Sequence, residues 1–168
     1  MIAKLIGKIA HIDPKYLVLD VGGVGYKVST TSDIMTKIGR EEELVTLWTY
    51  LAVRENALDL YGFLTLAELG FFELLITISG IGPKTALGIL NSASVHALET
   101  AVQTGDTSHL TKVSGIGKKI AEKIVMELKD KVEKMTGTIK MNNDDGDVVE
   151  ALKTLGYSPQ EARDVMKK

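Results

Sequence analysis

An octapeptide that occurs twice, 35 residues apart, governs how the middle of this 168-residue chain can fold. Ser79-Gly80-Ile81-Gly82-Pro83-Lys84-Thr85-Ala86 returns as Ser114-Gly115-Ile116-Gly117-Lys118-Lys119-Ile120-Ala121, with six of eight positions identical. Apolar residues at helical spacing flank the copies: Leu66, Leu69, Leu74, Leu75 and Ile78 before the first, and Ile120, Ile124, Leu128 and Val132 after the second. Both flanking stretches read as amphipathic helices. Ala86 to Ala101, broken at Asn91-Ser92 and followed by Thr104-Gly105-Asp106, reads as further short helices with turns. The unit is a helix, a tight hairpin and a helix, made twice.

The hairpin has a physical logic. Glycines on either side of one apolar residue let the backbone take conformations closed to residues with a Cβ, while the isoleucine anchors the turn in a core. A helix starts directly afterwards, so its unpaired N-terminal amides and positive dipole end are presented together, which makes an anion site. Lys84 and Lys119, each two residues past the second glycine, add mobile charge. Such a site meets a sugar–phosphate backbone and no base edge, so recognition is expected to be nearly independent of sequence.

Other readings of the motif are weaker. One Gly-Ile-Gly before a helix is commonly a plain turn, but a matched pair can hold phosphates on both strands of one duplex arm. Neither copy has the third glycine of a dinucleotide fold, since Thr85 and Ile120 stand there, and Pro83 precedes Lys84-Thr85 where a nucleotide-binding loop has glycine. These motifs bind no ATP, and no cofactor is expected.

Ahead of the repeat, residues 1–63 read as strands. Tyr16 to Val21 and Leu44 to Tyr50 are β-branched and aromatic runs, and Gly22-Gly23-Val24-Gly25 is a turn before Tyr26-Lys27-Val28. About five short strands in this length suggest a small barrel, closed or nearly so, because full pairing removes exposed edges. Behind the repeat, residues 136–146 are poor in large apolar groups and read as a linker of about 17–20 Å average span. Val148 to Leu155 reads as a short helix, and Ser158-Pro159-Gln160-Glu161 as the capping box of a second one. Val148, Leu152, Leu155, Val165 and Met166 leave an apolar stripe that calls for a third helix or a partner surface. The expected organisation is therefore residues 1–63, 64–135, a linker at 136–146 and residues 147–168.

Composition removes whole classes of chemistry. With no cysteine, disulfide scaffolds, thiolate metal sites and thiol nucleophiles are excluded. Lys4 and Lys8 interrupt the apolar N-terminus, no run reaches the ~18 residues of a membrane span, and a cytoplasmic location is the expectation. The net charge is −2, so nucleic-acid binding must come from a local arrangement. Residues 64–108 hold one lysine against four acids, whereas residues 109–135 hold seven lysines against four acids.

Taken with Gly22-Gly23-Val24-Gly25-Tyr26, Val53-Arg54-Glu55-Asn56 and Leu60-Tyr61-Gly62-Phe63, the two hairpins look like tandem helix-hairpin-helix motifs, and the chain resembles the RuvA family of Holliday-junction-binding proteins from end to end. The resemblance implies an α+β multidomain protein: an N-terminal OB-fold barrel, an all-α tandem helix-hairpin-helix domain, and a small C-terminal helical, UBA-like domain. It implies a homotetramer, or a face-to-face octamer, on four-way junction DNA. It also implies a hexameric RuvB ATPase as motor, which binds the ATP, and the RuvC resolvase as a further partner. Carried over by position, Gly80, Gly82 and Lys84 would form one backbone clamp, and Gly115, Gly117, Lys118 and Lys119 the other. Lys123, one helical turn on, is assigned to DNA, against a competing pairing with Glu127. Glu55 matches the family's acidic pin, but Asn56 stands where a second carboxylate is common, which halves the charge that steers strands apart. Leu152, Leu155, Tyr157 and Val165 would meet the ATPase, although the chain stops where a third helix is expected, for which a truncated or incompletely recorded C-terminus is the expected explanation.

An enzyme reading fares less well. Glycosylases on this scaffold need a catalytic carboxylate well downstream of the hairpin, and Asp130 comes too soon. His11, His96 and His109 fall in no metal-ligand spacing and read as surface or capping residues. Trp48 and Tyr50 read as barrel core and not as a base-stacking platform. The runner-up is a non-catalytic clamp for ordinary duplex or single-stranded DNA.

Overall fold

A computed structural model describes residues 1–38 and 44–137 of the chain, and the side chains of residues 130 and 132–137 are not among those described. Five strands come first: β1 (Lys4–Asp13), β2 (Tyr16–Val21), β3 (Val24–Ser29), β4 (Val45–Arg54) and β5 (Ala57–Phe63). They close into a barrel in the order β1-β2-β3-β5-β4, antiparallel except where β3 meets β5. Alternation drives the closure. Leu5, Leu17, Leu19, Val28, Leu47 and Leu60 point to one interior, and Leu17, Leu19, Val28 and Leu47 have no exposed surface. A short helix, α1 (Ser32–Ile38), follows β3 and was not legible as a helix in the sequence.

The helices follow: α2 (Leu66–Ile76), α3 (Pro83–Ser92), α4 (Val95–Thr104), α5 (Ser108–Thr111) and α6 (Lys118–Gly137). Residues Met1–Lys129 form one compact unit. Thr65 starts α2 with a reciprocal cap: its hydroxyl accepts from the Glu68 amide at 3.2 Å, and the Glu68 carboxylate accepts from the Thr65 amide at 3.0 Å.

As the spacing predicts, α2 is amphipathic: Leu69, Phe71, Phe72 and Leu75 are buried, while Leu66, Ala67, Gly70 and Glu73 are exposed. The buried residues meet β4 and β5 of the barrel as well as α3 and α4, and the face with Glu73 is left to water. Phe72 is the joint. Its ring lies 5.4 Å from that of Tyr50, 5.2 Å from Tyr61 and 5.0 Å from Phe63. Tyr61 is buried there, and loss of water pushes its hydroxyl above the ordinary pKa. Tyr50 and Trp48 therefore belong to the core shared with α2 and not to the barrel interior expected for them. Consecutive strand residues point to opposite faces, so Leu47 and Thr49 face inward while Trp48 and Tyr50 face the helices.

The α6 face also needs correction. Ala121, Ile124, Val125 and Leu128 are buried, but Ile120 is 43% exposed. It sits in the first turn of the helix, beside the second hairpin, where no other element covers it. α6 runs to Gly137, two residues into the linker expected at 136–146, because the helical backbone continues past the last buried turn; the rest of that linker and the C-terminal helices expected over 147–168 lie outside the described residues.

Candidate nucleic-acid interface

Both glycine hairpins adopt the same elbow. Gly80 has φ +92° and Gly115 φ +87°, a region that L side chains rarely enter. The turn closes on matched backbone bonds, Ile81 N–H to the Ile78 carbonyl and Ile116 N–H to the Val113 carbonyl, both at 3.0 Å. Ile81 and Ile116 are 5% and 4% exposed, each pressed into the helical core. The next helix then starts in the same way, with Ala86 N–H to the Gly82 carbonyl at 2.9 Å and Ala121 N–H to the Gly117 carbonyl at 3.0 Å.

What remains unbonded is the outer rim. Among the described residues, the amides of Gly80, Gly82, Lys84 and Thr85, and of Gly115, Gly117, Lys119 and Ile120, donate to nothing in the chain. Gly82 and Gly117 lack a positive φ, and a Cβ on either would meet no atom within 4 Å. Gly82 is in fact extended, at φ −92° and ψ 171°. Neither a clash nor a positive φ requires glycine at these two positions, although Gly82 is also the N-cap of α3, where glycine is favoured over alanine.

The lysines divide. Lys84 and Lys119 are exposed and form no ion pair among the described residues, and Lys118 is only loosely tied to Glu122 at 4.0 Å. Lys123 is differently placed. Its Nζ donates to the carbonyl of Ser79 at 3.3 Å and lies 3.6 Å from Glu127. The pairing with Glu127 is thus present, and the same ammonium bridges α6 to the first elbow, a contact across 44 residues that no local spacing reveals.

The β4–β5 connection is a two-residue turn, Glu55-Asn56, and both residues are exposed. Arg54 is paired with Asp59 across the hairpin, which leaves Glu55 as the unpaired carboxylate of the tip. Asp59 escaped the sequence reading; cross-strand spacing from Arg54 was the signal that could have found it. Val53 and Leu58 face each other on this hairpin, 70% and 72% exposed.

The remaining candidates are scattered. His11 stacks loosely near Tyr16 at 6.3 Å, His96 lies on α4 and His109 on α5. No group of three or more metal-ligating side chains forms among the described residues, and none of their helices is long and apolar enough to cross a membrane. Leu152, Leu155, Tyr157 and Val165 lie outside the described residues.

A five-stranded barrel joined to two superposable glycine elbows defines the class: a barrel-led tandem helix-hairpin-helix protein. Family models agree segment by segment, with the RuvA N terminal domain over residues 1–62, a SAM-like helix-hairpin-helix tandem over 72–130, and the RuvA C-terminal domain over 144–168. Proteins named Holliday junction branch migration complex subunit RuvA are similar along almost the whole chain. That of Acetivibrio thermocellus is 41% identical over 96% of this chain and 86% of its own length. Those of Delftia acidovorans and Trichlorobacter lovleyi are 42% and 44% identical, over 100% and 99% of this chain and 90% and 88% of their own. The chain belongs to the RuvA family.

Proposed function

We propose that this protein is the Holliday-junction-binding subunit of a branch migration complex in recombination and DNA repair, gripping four-way DNA by its sugar–phosphate backbone. The observation that carries the reading is the pair of second glycines, Gly82 and Gly117, which neither a clash nor a positive φ requires and a close-approaching phosphate does. Each elbow offers unbonded amides at a helix start together with a free lysine, and none of these groups can read a base edge. The relatives' shared name supplies the substrate.

In this reading Gly80, Gly82 and Lys84 form one clamp and Gly115, Gly117, Lys118 and Lys119 the other. Lys123, exposed on α6 and reaching the Ser79 carbonyl beside the first elbow, is assigned to DNA as well. A homotetramer, or an octamer of two, holds the junction open and planar. At its centre Glu55 repels the crossing strands, with Asn56 lowering that repulsion. The chain hydrolyses no ATP. It recruits a hexameric ATPase through Leu152, Leu155, Tyr157 and Val165, and it acts in the cytoplasm.

A gel-shift titration of the full chain against a four-way junction and a linear duplex of equal length tests this, with the mass of the complex measured. The junction is expected to bind far more tightly, as a tetramer or octamer. Equal affinities would leave only a generic duplex clamp.

A further inference from the structure

The elbows are copies, but the grooves beside them are not. The 35-residue offset that carries Ser79 onto Ser114 also carries Thr77 onto Lys112, Gly88 onto Lys123 and Ser92 onto Glu127. Beside the first elbow the chain fills its own groove: Lys123 reaches the Ser79 carbonyl, and Glu127 neutralises it. Beside the second elbow the place of Lys123 is taken by Gly88, and an open groove of about 540 Å³ remains between α3 and Ser114.

The chemistry of that groove has one sign. Its wall carries Lys84, Thr85, Asn91, Lys112 and Ser114, and no carboxylate. Neither lysine is in an ion pair among the described residues, and the hydroxyls of Thr85 and Ser114 have no partner there. Asn91 accepts the Ser32 amide on Oδ1 at 2.8 Å, which leaves its NH2 as a donor. The Asp106 carboxylate feels the charge of Lys112, but both its oxygens are already taken by Ser108 at 2.8 Å. A cavity with two free cations, two hydroxyls and an amide donor is built for an anion.

We infer that the Gly88 groove is a third phosphate subsite, occupied by a further phosphodiester of the DNA strand held at the first elbow, with Lys112 as its main charge. Lys84 stands at both places, at the start of α3 and on the groove wall, so neighbouring phosphates of one strand share it. The two clamps are then unequal: one side holds its strand at the elbow alone, the other at the elbow and the groove. The inference rests on the backbone-clamp reading.

The test is the salt dependence of four-way junction binding by the full chain, read by fluorescence anisotropy. Lys112 is exposed, so its replacement leaves the fold intact. Lys112→Gln is expected to lower the slope of log K against log salt by about 0.9 for the lost phosphate, and Lys112→Arg to keep it. Ser92→Glu, which copies the acid of the filled groove, is expected to weaken binding of every sequence alike. An unchanged slope in Lys112→Gln, while Lys84→Ala lowers it, would overturn the subsite and leave the clamps standing. An unchanged slope in both variants would remove the clamps as well. Titration with inorganic phosphate alone, followed through the Gly88 and Ser114 amide resonances, separates the two sources of the anion: saturation below millimolar phosphate without DNA would overturn the assignment to nucleic acid.

Discussion

The two elbows share every local feature and almost none of their support. The first follows α2, an eleven-residue helix seated on the barrel through Phe72. The second follows α5, only four residues long, and leads into α6, whose opening residues Lys118, Lys119 and Ile120 are all exposed. Yet φ at the leading glycine differs by only 5° between them, +92° against +87°, and the closing bonds agree to 0.1 Å. Surroundings this different producing one geometry means that the elbow is specified by its own residues. The glycine admits the turn, and the isoleucine pays its way by burial.

The comparison can be broken most sharply from below. Phe72→Ala should cost about 3–5 kcal/mol, because three aromatic neighbours lose their common contact. Denaturant unfolding measures this, and amide exchange should rise at α2 and the first elbow before the second. Uniform loosening of both elbows would mean that they are held by one support after all.

A smaller effect sharpens it. Gly80→Ala and Gly115→Ala should each cost about 1–3 kcal/mol, and nearly the same amount, since both must hold a side chain at positive φ. Gly82→Ala and Gly117→Ala should cost about 1 kcal/mol or less, the loss of a favourable helix start and no more, because the added methyl meets no atom of the protein, while DNA binding weakens. A loss of stability at Gly82 or Gly117 equal to that at Gly80 would restore a purely structural role for the second glycine.

The smallest effect concerns the approach to the second elbow. The Ser108 amide and hydroxyl both donate to Asp106 and hold its carboxyl below the ordinary value of 3.8. A depressed pKa in the folded state contributes stability that is present above the unfolded value and is lost as pH falls through the folded one. Asp106→Asn should therefore lose this small contribution at neutral pH and flatten the acid limb of stability below about pH 4, the variant and the unaltered protein converging in acid, as thermal melts across pH would show. A flat acid limb in the unaltered protein would contradict the contact. The first elbow has no such acid: its counterpart 35 residues earlier is Phe71.

Much of this was legible in the sequence, for a physical reason. Gly-Ile-Gly before a helical pattern acts over a few residues, and the strands β2 and β4 announced themselves by β-branched and aromatic runs. Thr65-Leu66-Ala67-Glu68 was equally local and was passed over. The helix α1 lies in a stretch read as strands, with no long periodic run to signal it. Trp48 and Tyr50 were misplaced because the helical core they join, for Tyr50 the Phe72 ring, is distant in sequence, and the reach of Lys123 to Ser79 was hidden for the same reason: helical or strand spacing says which face a residue occupies but not what covers that face.

By itself, then, the order of residues settled the elbows, their duplication, their exposed lysines and the barrel ahead of them, since each depends on dihedral preferences and near-neighbour burial. Tertiary structure alone decided that α2 meets both the barrel and α3, that Lys123 spans to the first elbow, and that Gly88 opens a groove where its counterpart closes one. Those outcomes depend on which distant surfaces meet, and a long-range contact leaves no trace in the spacing of either partner.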